Sequence, residues 1–192
     1  MADAPQKITD AKTLRALAHP LRWELMDLLR LETTATATRC AEVTGESVAS
    51  CSYHLNMLAK YGFVQEATGG QGREKPWRLI RHDQSWSAYG AGMDPEGALV
   101  AQTLTDVFLD HEAAQLKRWI RREEREPEAW REATGMTGVT TYLTVEEMAE
   151  VTRELREVAT RYTGRSEDPS LRPAGSRAAR IFITTSLAEE QK

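Results

Sequence analysis

The sequence predicts a mainly α-helical chain with a small β component, an α+β fold built in two parts. Three observations predict it. Apolar residues recur at helical spacing through most of the chain. Two short alternating stretches flank a glycine cluster near residue 70 and read as a hairpin. Beyond Pro95 a single helical pattern runs to Glu126, longer than any other in the chain. These features divide the chain into a first domain over 1–82, a linker over 83–94 and a second, helical or α+β region over 95–192.

Residues 9–31 read as two helices. Leu14, Leu17 and Ala18 give the first a short apolar stripe, and Pro20 fits the first turn of the second, where its missing N–H costs nothing. Leu21, Leu25, Leu28 and Leu29 follow at helical spacing. A third short helix carries Cys40 and Val43 inward, and Gly45 supplies the left-handed residue that ends it. Ser47 then caps a fourth helix, Glu46 to Tyr61, with an apolar row at Val48, Cys51, Leu55 and Leu58. Helix, glycine turn and capped helix form the helix-turn-helix pattern. Phe63–Ala67 and the stretch around Trp77 and Leu79 make strands of a hairpin whose tip is Gly69–Arg73, a wing beside the fourth helix.

The wet face of the fourth helix carries Ala49, Ser50, Tyr53 and Asn56, with Ser52 at its margin, and only Lys60 is charged, in the last turn. A polar, nearly uncharged face suits base edges in a major groove. The alternative is a buried linker helix. From Gln71 to His82 the wing holds Arg73, Lys75, Arg78 and Arg81 against Glu74 alone, a composition for phosphates or a minor groove. Ser50, Ser52, Tyr53 and Asn56 are expected to approach bases. Ser47, His54, Arg73, Lys75 and Arg78 are expected to serve phosphates. An ordinary solvated hairpin is the competing reading of the wing.

The segments LRALAHPLRWELMDLLR and AEVTGESVASCSYHLNMLAKYGFV, followed by the glycine-rich hairpin, resemble the winged helix-turn-helix of ArsR-type bacterial transcriptional regulators over residues 10–82. Ala18-His19-Pro20-Leu21-Arg22 and Ser52-Tyr53-His54-Leu55 carry the closest similarity. The resemblance implies a homodimeric repressor on a partly palindromic operator in double-stranded DNA. It also marks a departure. Thr36 and Thr38 stand where many such regulators have a metal-binding cysteine pair, and hydroxyls are poor ligands for soft metals. No metal and no cofactor is expected, and Cys40 and Cys51 fall on core positions.

Charge and composition bound the rest. The formal charge is −4, but residues up to Gly90 sum to +1 (11 basic, 10 acidic) and those from Ala91 to −5 (14 basic, 19 acidic). The acidity therefore belongs to the second half, which leaves a locally basic contact face possible. No apolar run reaches the ~20 residues of a membrane span, and the N-terminus lacks a basic, hydrophobic leader, so a cytoplasmic protein is expected. Two cysteines are too few for a disulfide framework. The serines and threonines have no His base at hand, and none of His19, His54, His82 or His111 has partners at ligand spacing, so no enzyme is expected.

In the second half, Val100, Leu104, Val107 and His111 form one seam of the long helix, with Phe108 adding bulk, and Leu109, Leu116 and Ile120 a neighbouring one. Dimerisation through Val100, Leu104, Val107, Phe108 and His111 is the simplest use for the first seam, since a two-fold operator needs a two-fold protein. An intrachain core helix is the other. A short helix is expected around Trp130, a strand at Val139–Leu143, a helix to Tyr162 opened by a Thr144/Glu147 capping box, and a strand at Arg180–Thr185. Phe108, Trp119, Trp130, Tyr142 and Phe182 would line an effector pocket or fill an aromatic core. The effector itself is not readable. A winged-helix module for protein–protein contact is the rival from a different class.

Overall fold

The computed structural model describes residues 7–69, 75–80, 85–86 and 94–189. It is mainly helical, with one small antiparallel sheet and one two-residue parallel pairing. The chain divides into two units, Met1–Ala114 and Gln115–Lys192.

In the first unit, α1 (Ala11–Leu17) is opened by Asp10, whose carboxylate accepts from the Thr13 N–H at 2.8 Å. Helix α2 (Pro20–Glu32) starts with its proline in the first turn, as expected. Helix α3 (Ala37–Thr44) is capped by Thr36 and ends at Gly45, which sits at φ 77°, in the left-handed region. Helix α4 (Val48–Lys60) follows, with the Ser47 hydroxyl accepting from the Ser50 N–H at 3.1 Å. The Phe63 N–H donates to the Leu58 carbonyl at 3.0 Å, so the chain leaves α4 without slack.

Strands β2 (Val64–Glu66) and β3 (Trp77–Leu79) pair antiparallel in the register Val64 to Leu79, Gln65 to Arg78, Glu66 to Trp77. Alternation places Trp77 and Leu79 inward and Arg78 outward. Ala35, in the loop before α3, exchanges both backbone bonds with Trp77 at 2.8 and 3.1 Å, which clamps the hairpin onto the helices. The parallel pairing of β1 (Lys7–Ile8) with β4 (Ser85–Trp86) was not legible in the sequence.

The core gathers Leu14, Leu17, Leu25, Met26, Leu29, Cys40, Cys51, Leu55, Leu58 and Phe63, all 0–1 % exposed. It extends to Ala101 and Leu104 of α5 (Pro95–Arg122). Trp23 anchors that extension: its indole N–H donates to the Leu17 carbonyl at 2.9 Å, and its ring lies 4.9 Å from Phe108 and 5.9 Å from Trp86. Trp86 in turn donates to the Thr105 hydroxyl at 3.0 Å. His111 Nε2 lies 2.7 Å from the Asp27 carboxylate, and Arg30 holds the same carboxylate at 2.9 Å.

Several expectations are corrected here. Val43 does not face inward, being 50 % exposed, because α3 is only two turns long and Cys40 alone reaches the core. Val48, at the start of the row on α4, is 47 % exposed, since the first turn projects beyond the helices that cover Cys51, Leu55 and Leu58. Leu109, Leu116 and Ile120, expected as a buried seam, are 41–50 % exposed.

The second unit holds α6 (Glu128–Glu132), α7 (Val145–Thr160) and α8 (Gly164–Glu167). The Thr144/Glu147 capping box is present in both directions, at 3.2 and 2.8 Å. Val139–Leu143 and Arg180–Thr185 do not form strands, so the small α+β unit expected from them is not seen. β-propensity alone does not make a strand, which needs a neighbouring segment to pair with. Residues 115–189 contain no buried side chain at all.

Candidate functional site

The exposed side of α4 is the richest polar surface in the first unit. Ala49, Tyr53 and Asn56 are exposed, Ser50 and Ser52 half-exposed, and no acidic residue lies on this helix. Tyr53, at 59 %, projects farthest of the aromatic residues here. The Asn56 amide donates back to the Ser52 carbonyl at 2.8 Å, leaving one N–H and its own carbonyl oxygen for other partners. Helix propensity does not explain such a face; it is a surface of hydroxyls and one amide held on a rigid element.

Beneath it the helix is fixed by a buried polar cluster. His54 is 8 % exposed and Arg22 7 %. Arg22 Nε donates to His54 Nδ1 at 3.1 Å, and Arg22 Nη1 donates to the Ala16 carbonyl at 2.7 Å, so a single guanidinium joins α1, α2 and α4. Because His54 accepts at Nδ1, its neutral form carries the proton on Nε2. Burial lowers the His54 pKa, with the charges of His19 and Arg22 acting in the same direction. The His19 ring lies 4.3 Å from it, tilted by 40°, and its pKa is likewise lowered, first by burial and then by Arg22. His54, expected to serve a phosphate, is therefore buried and bonded to Arg22.

Further cations lie beside the α4 face. A hollow of about 250 Å³ is lined by Lys12, Arg15, Ala16, Arg22, Tyr53, Met57 and Tyr61. Lys12 and Arg15 belong to α1, a helix read only for its apolar stripe; their spacing of three residues puts both on one side. Arg15 also pairs with Glu96 at 2.6 Å, with both side chains more than half exposed. Pairs of this kind contribute little and exchange readily.

In the hairpin, Lys75 pairs with Glu66 at 2.7 Å across the strands, again at an exposed position. Arg78 is exposed on β3, where the guanidinium donates to the side-chain carbonyl of Gln65, its cross-strand partner, in the amide orientation that satisfies both. Arg73, Arg81 and His82 lie outside the described residues, as do Tyr89, Gly90 and Gly92 of the linker.

The residues assigned to dimerisation are placed differently. Leu104 is fully buried and His111 is 7 % exposed, both covered by their own chain, while Val100, Val107 and Phe108 are half-buried against the same core. Within the chain this seam is fully covered only at Leu104 and His111; Val100, Val107 and Phe108 keep part of their surface exposed. Phe108 joins Trp23 and Trp86, Tyr142 is fully exposed, and Trp130 lies under the Arg177 guanidinium at 5.1 Å.

Cys40 is buried and its thiol is pushed up to about 12 by burial, which keeps it protonated and unreactive. Thr36 serves as the cap of α3. Among the described residues no group of three or more His, Cys, Asp or Glu side chains is placed to hold a metal ion. No helix among them is long and apolar enough to cross a membrane. No family model matches the chain, and no curated protein matches it.

Proposed function

We propose that this chain is a sequence-specific double-stranded DNA-binding transcriptional regulator of the winged helix-turn-helix, ArsR type. In this reading it acts in the cytoplasm as a homodimeric repressor on a pseudo-palindromic operator. The observation that carries the reading is the exposed, carboxylate-free face of α4, set between the cationic hollow of Lys12 and Arg15 and the Lys75/Arg78 hairpin. Helix α4 enters the major groove, where Ser50, Ser52, Tyr53 and Asn56 meet base edges. The hollow and the hairpin hold the phosphates on either side. The order α3, Gly45 turn, α4, hairpin supports the motif, and the Ala35–Trp77 clamp keeps the wing at a fixed angle to the reading helix.

Selection of bound fragments from genomic DNA tests the reading. A single enriched motif with two-fold character is expected. Replacing Arg73 and Lys75 by Ala should lower affinity for all sequences and flatten the salt dependence by roughly two in the log–log slope. An unchanged slope would remove those side chains from the contact. Absence of any enriched motif would point instead to a protein-docking module.

A further inference from the structure

We infer that the hollow between α1, α2 and α4 is a binding site for a phosphate monoester carried on a small planar group, with Arg22 as its buried cation. Arg22 is 7 % exposed and lines the hollow. Its Nε donates to His54, and its Nη1 to the Ala16 and Arg15 carbonyls at 2.7 and 3.4 Å. That leaves Nη2, neither of whose N–H groups has a partner among the described residues. No carboxylate among them pairs with the guanidinium. Burial lowers the Arg22 pKa, opposed by the Tyr53 and Tyr61 phenols and by no acidic side chain. A buried donor is ordinarily bonded and a buried charge ordinarily paired. Arg22 meets neither condition, and the hollow is where an anion would supply both.

The walls fit an aromatic phosphate. Lys12 and Arg15 of α1 bring two further cations, and no acidic residue lines the hollow. Arg15 is shared with Glu96 at 2.6 Å, an exposed pair that gives way readily. On the α4 side Tyr53, Met57 and Tyr61 follow one another at four-residue spacing, which sets them along a single side of the helix and its cap. Two phenol rings and a thioether make a flat, polarizable flank, and the hydroxyls can donate to an oxyanion. At about 250 Å³ the hollow is smaller than the roughly 300–1,000 Å³ of pockets for drug-sized ligands. It takes one small group.

Charge selects the phosphate. A monoester carries about −1.5 to −2 at pH 7 and three strong acceptor oxygens, enough for Arg22, Lys12 and Arg15 together. A carboxylate brings a single charge and two oxygens, which leaves one cation unanswered. A duplex backbone offers the same kind of oxyanion as a diester, and in the proposed function Lys12 and Arg15 help to hold it. A free monoester therefore competes with DNA for these cations, and a small phosphorylated molecule would release the duplex from here. The site itself stands without the regulator reading; only the competition rests on it.

Phenyl phosphate titrated into the full chain at constant ionic strength, followed by NMR, tests the site. Saturable binding of one equivalent is expected, and the Arg22 Nε–H resonance should shift, because its guanidinium meets the phosphate. Lys12→Ala with Arg15→Ala, at two exposed positions outside the core, should weaken binding by about tenfold or more. Benzoate should bind the wild-type chain about tenfold more weakly than phenyl phosphate. Absence of saturation, an unmoved Arg22 resonance, equal affinity in the double variant or equal affinity for benzoate would each overturn the inference. On a fragment selected from genomic DNA, phenyl phosphate at about ten times its Kd should weaken duplex binding by about tenfold; unchanged duplex affinity would overturn the competition. A chain that binds phenyl phosphate and selects no motif removes only the regulator. One that selects a motif and leaves phenyl phosphate unbound removes only this site.

Discussion

Replacing Arg22 by Met tests whether the buried guanidinium orients α4. Met keeps the unbranched stem and its packing but removes every donor. The Ala16 carbonyl, now served at 2.7 Å, and His54 Nδ1, served at 3.1 Å, would both lose their partner. Each buried acceptor left without a donor costs about 1–3 kcal/mol. Against this, Met avoids the burial penalty that lowers the Arg22 pKa. The balance comes to about 2–3 kcal/mol of lost stability. With a urea slope of about 1–3 kcal/mol per molar, the unfolding midpoint should fall by roughly 1 M with the slope unchanged. A double-mutant cycle with His54→Gln should then show coupling of about 1 kcal/mol, since the two residues share one hydrogen bond. A midpoint that moves by less than about 0.2 M, or strictly additive effects, would refute the assignment of Arg22 as the pin beneath α4.

Leu55→Ala removes a fully buried side chain of α4 and should cost about 2–5 kcal/mol, read as a lower urea midpoint. Gly45→Ala should cost about 1–2 kcal/mol, because the residue sits at φ 77° while the space around its Cβ is open, so the penalty is conformational and not steric. Stability should also depend on pH through His19 and His54. Both folded-state pKa values lie below the ordinary 6.5, so the unfolded chain binds more protons in the window beneath it. Their contribution is complete above about pH 6.5 and is lost as pH falls towards the lowered folded values. Urea midpoints measured across this range should decline on the acid side, and His54→Gln should flatten the decline. An equal slope in that variant would assign the effect elsewhere.

Local chemistry was legible in the sequence where a residue acts on its own neighbours. Ser47 and Thr144 cap the helices they were expected to cap, Gly45 makes the turn, and the alternation of Trp77, Arg78 and Leu79 gives the inward and outward faces seen in the hairpin. What failed depends on distant partners. Helical periodicity says that α5 has a face to bury but not against what, and Trp23, Asp27 and Trp86 turn out to cover it. Val43 and Val48 show that an apolar residue at the right spacing stays wet when its helix is short or its turn overhangs the core. The β-branched stretches 139–143 and 180–185 have the propensity for strands but no ladder, because pairing is a property of two segments. On the candidate site, the uncharged face of α4 could be read directly. The Lys12/Arg15 hollow could not, since it arises where separate helices meet.

The pairing of Ile8 with Trp86 and the contact between Asp27 and His111, 84 residues apart, bear on the order in which the protein takes shape. Helices α1 to α4 and the β2–β3 hairpin lie within the first 79 residues. The groups that close over Trp23 come later, the last of them at His111. During synthesis α4 therefore emerges before the residues that cover Trp23 have left the ribosome, and the apolar side of α2 waits uncovered in the interval. Contacts of such sequence separation also slow folding from the denatured state. A first unit cut at residue 82 would be held permanently at that unfinished stage, with its polar face intact and its Trp23 side still open to water.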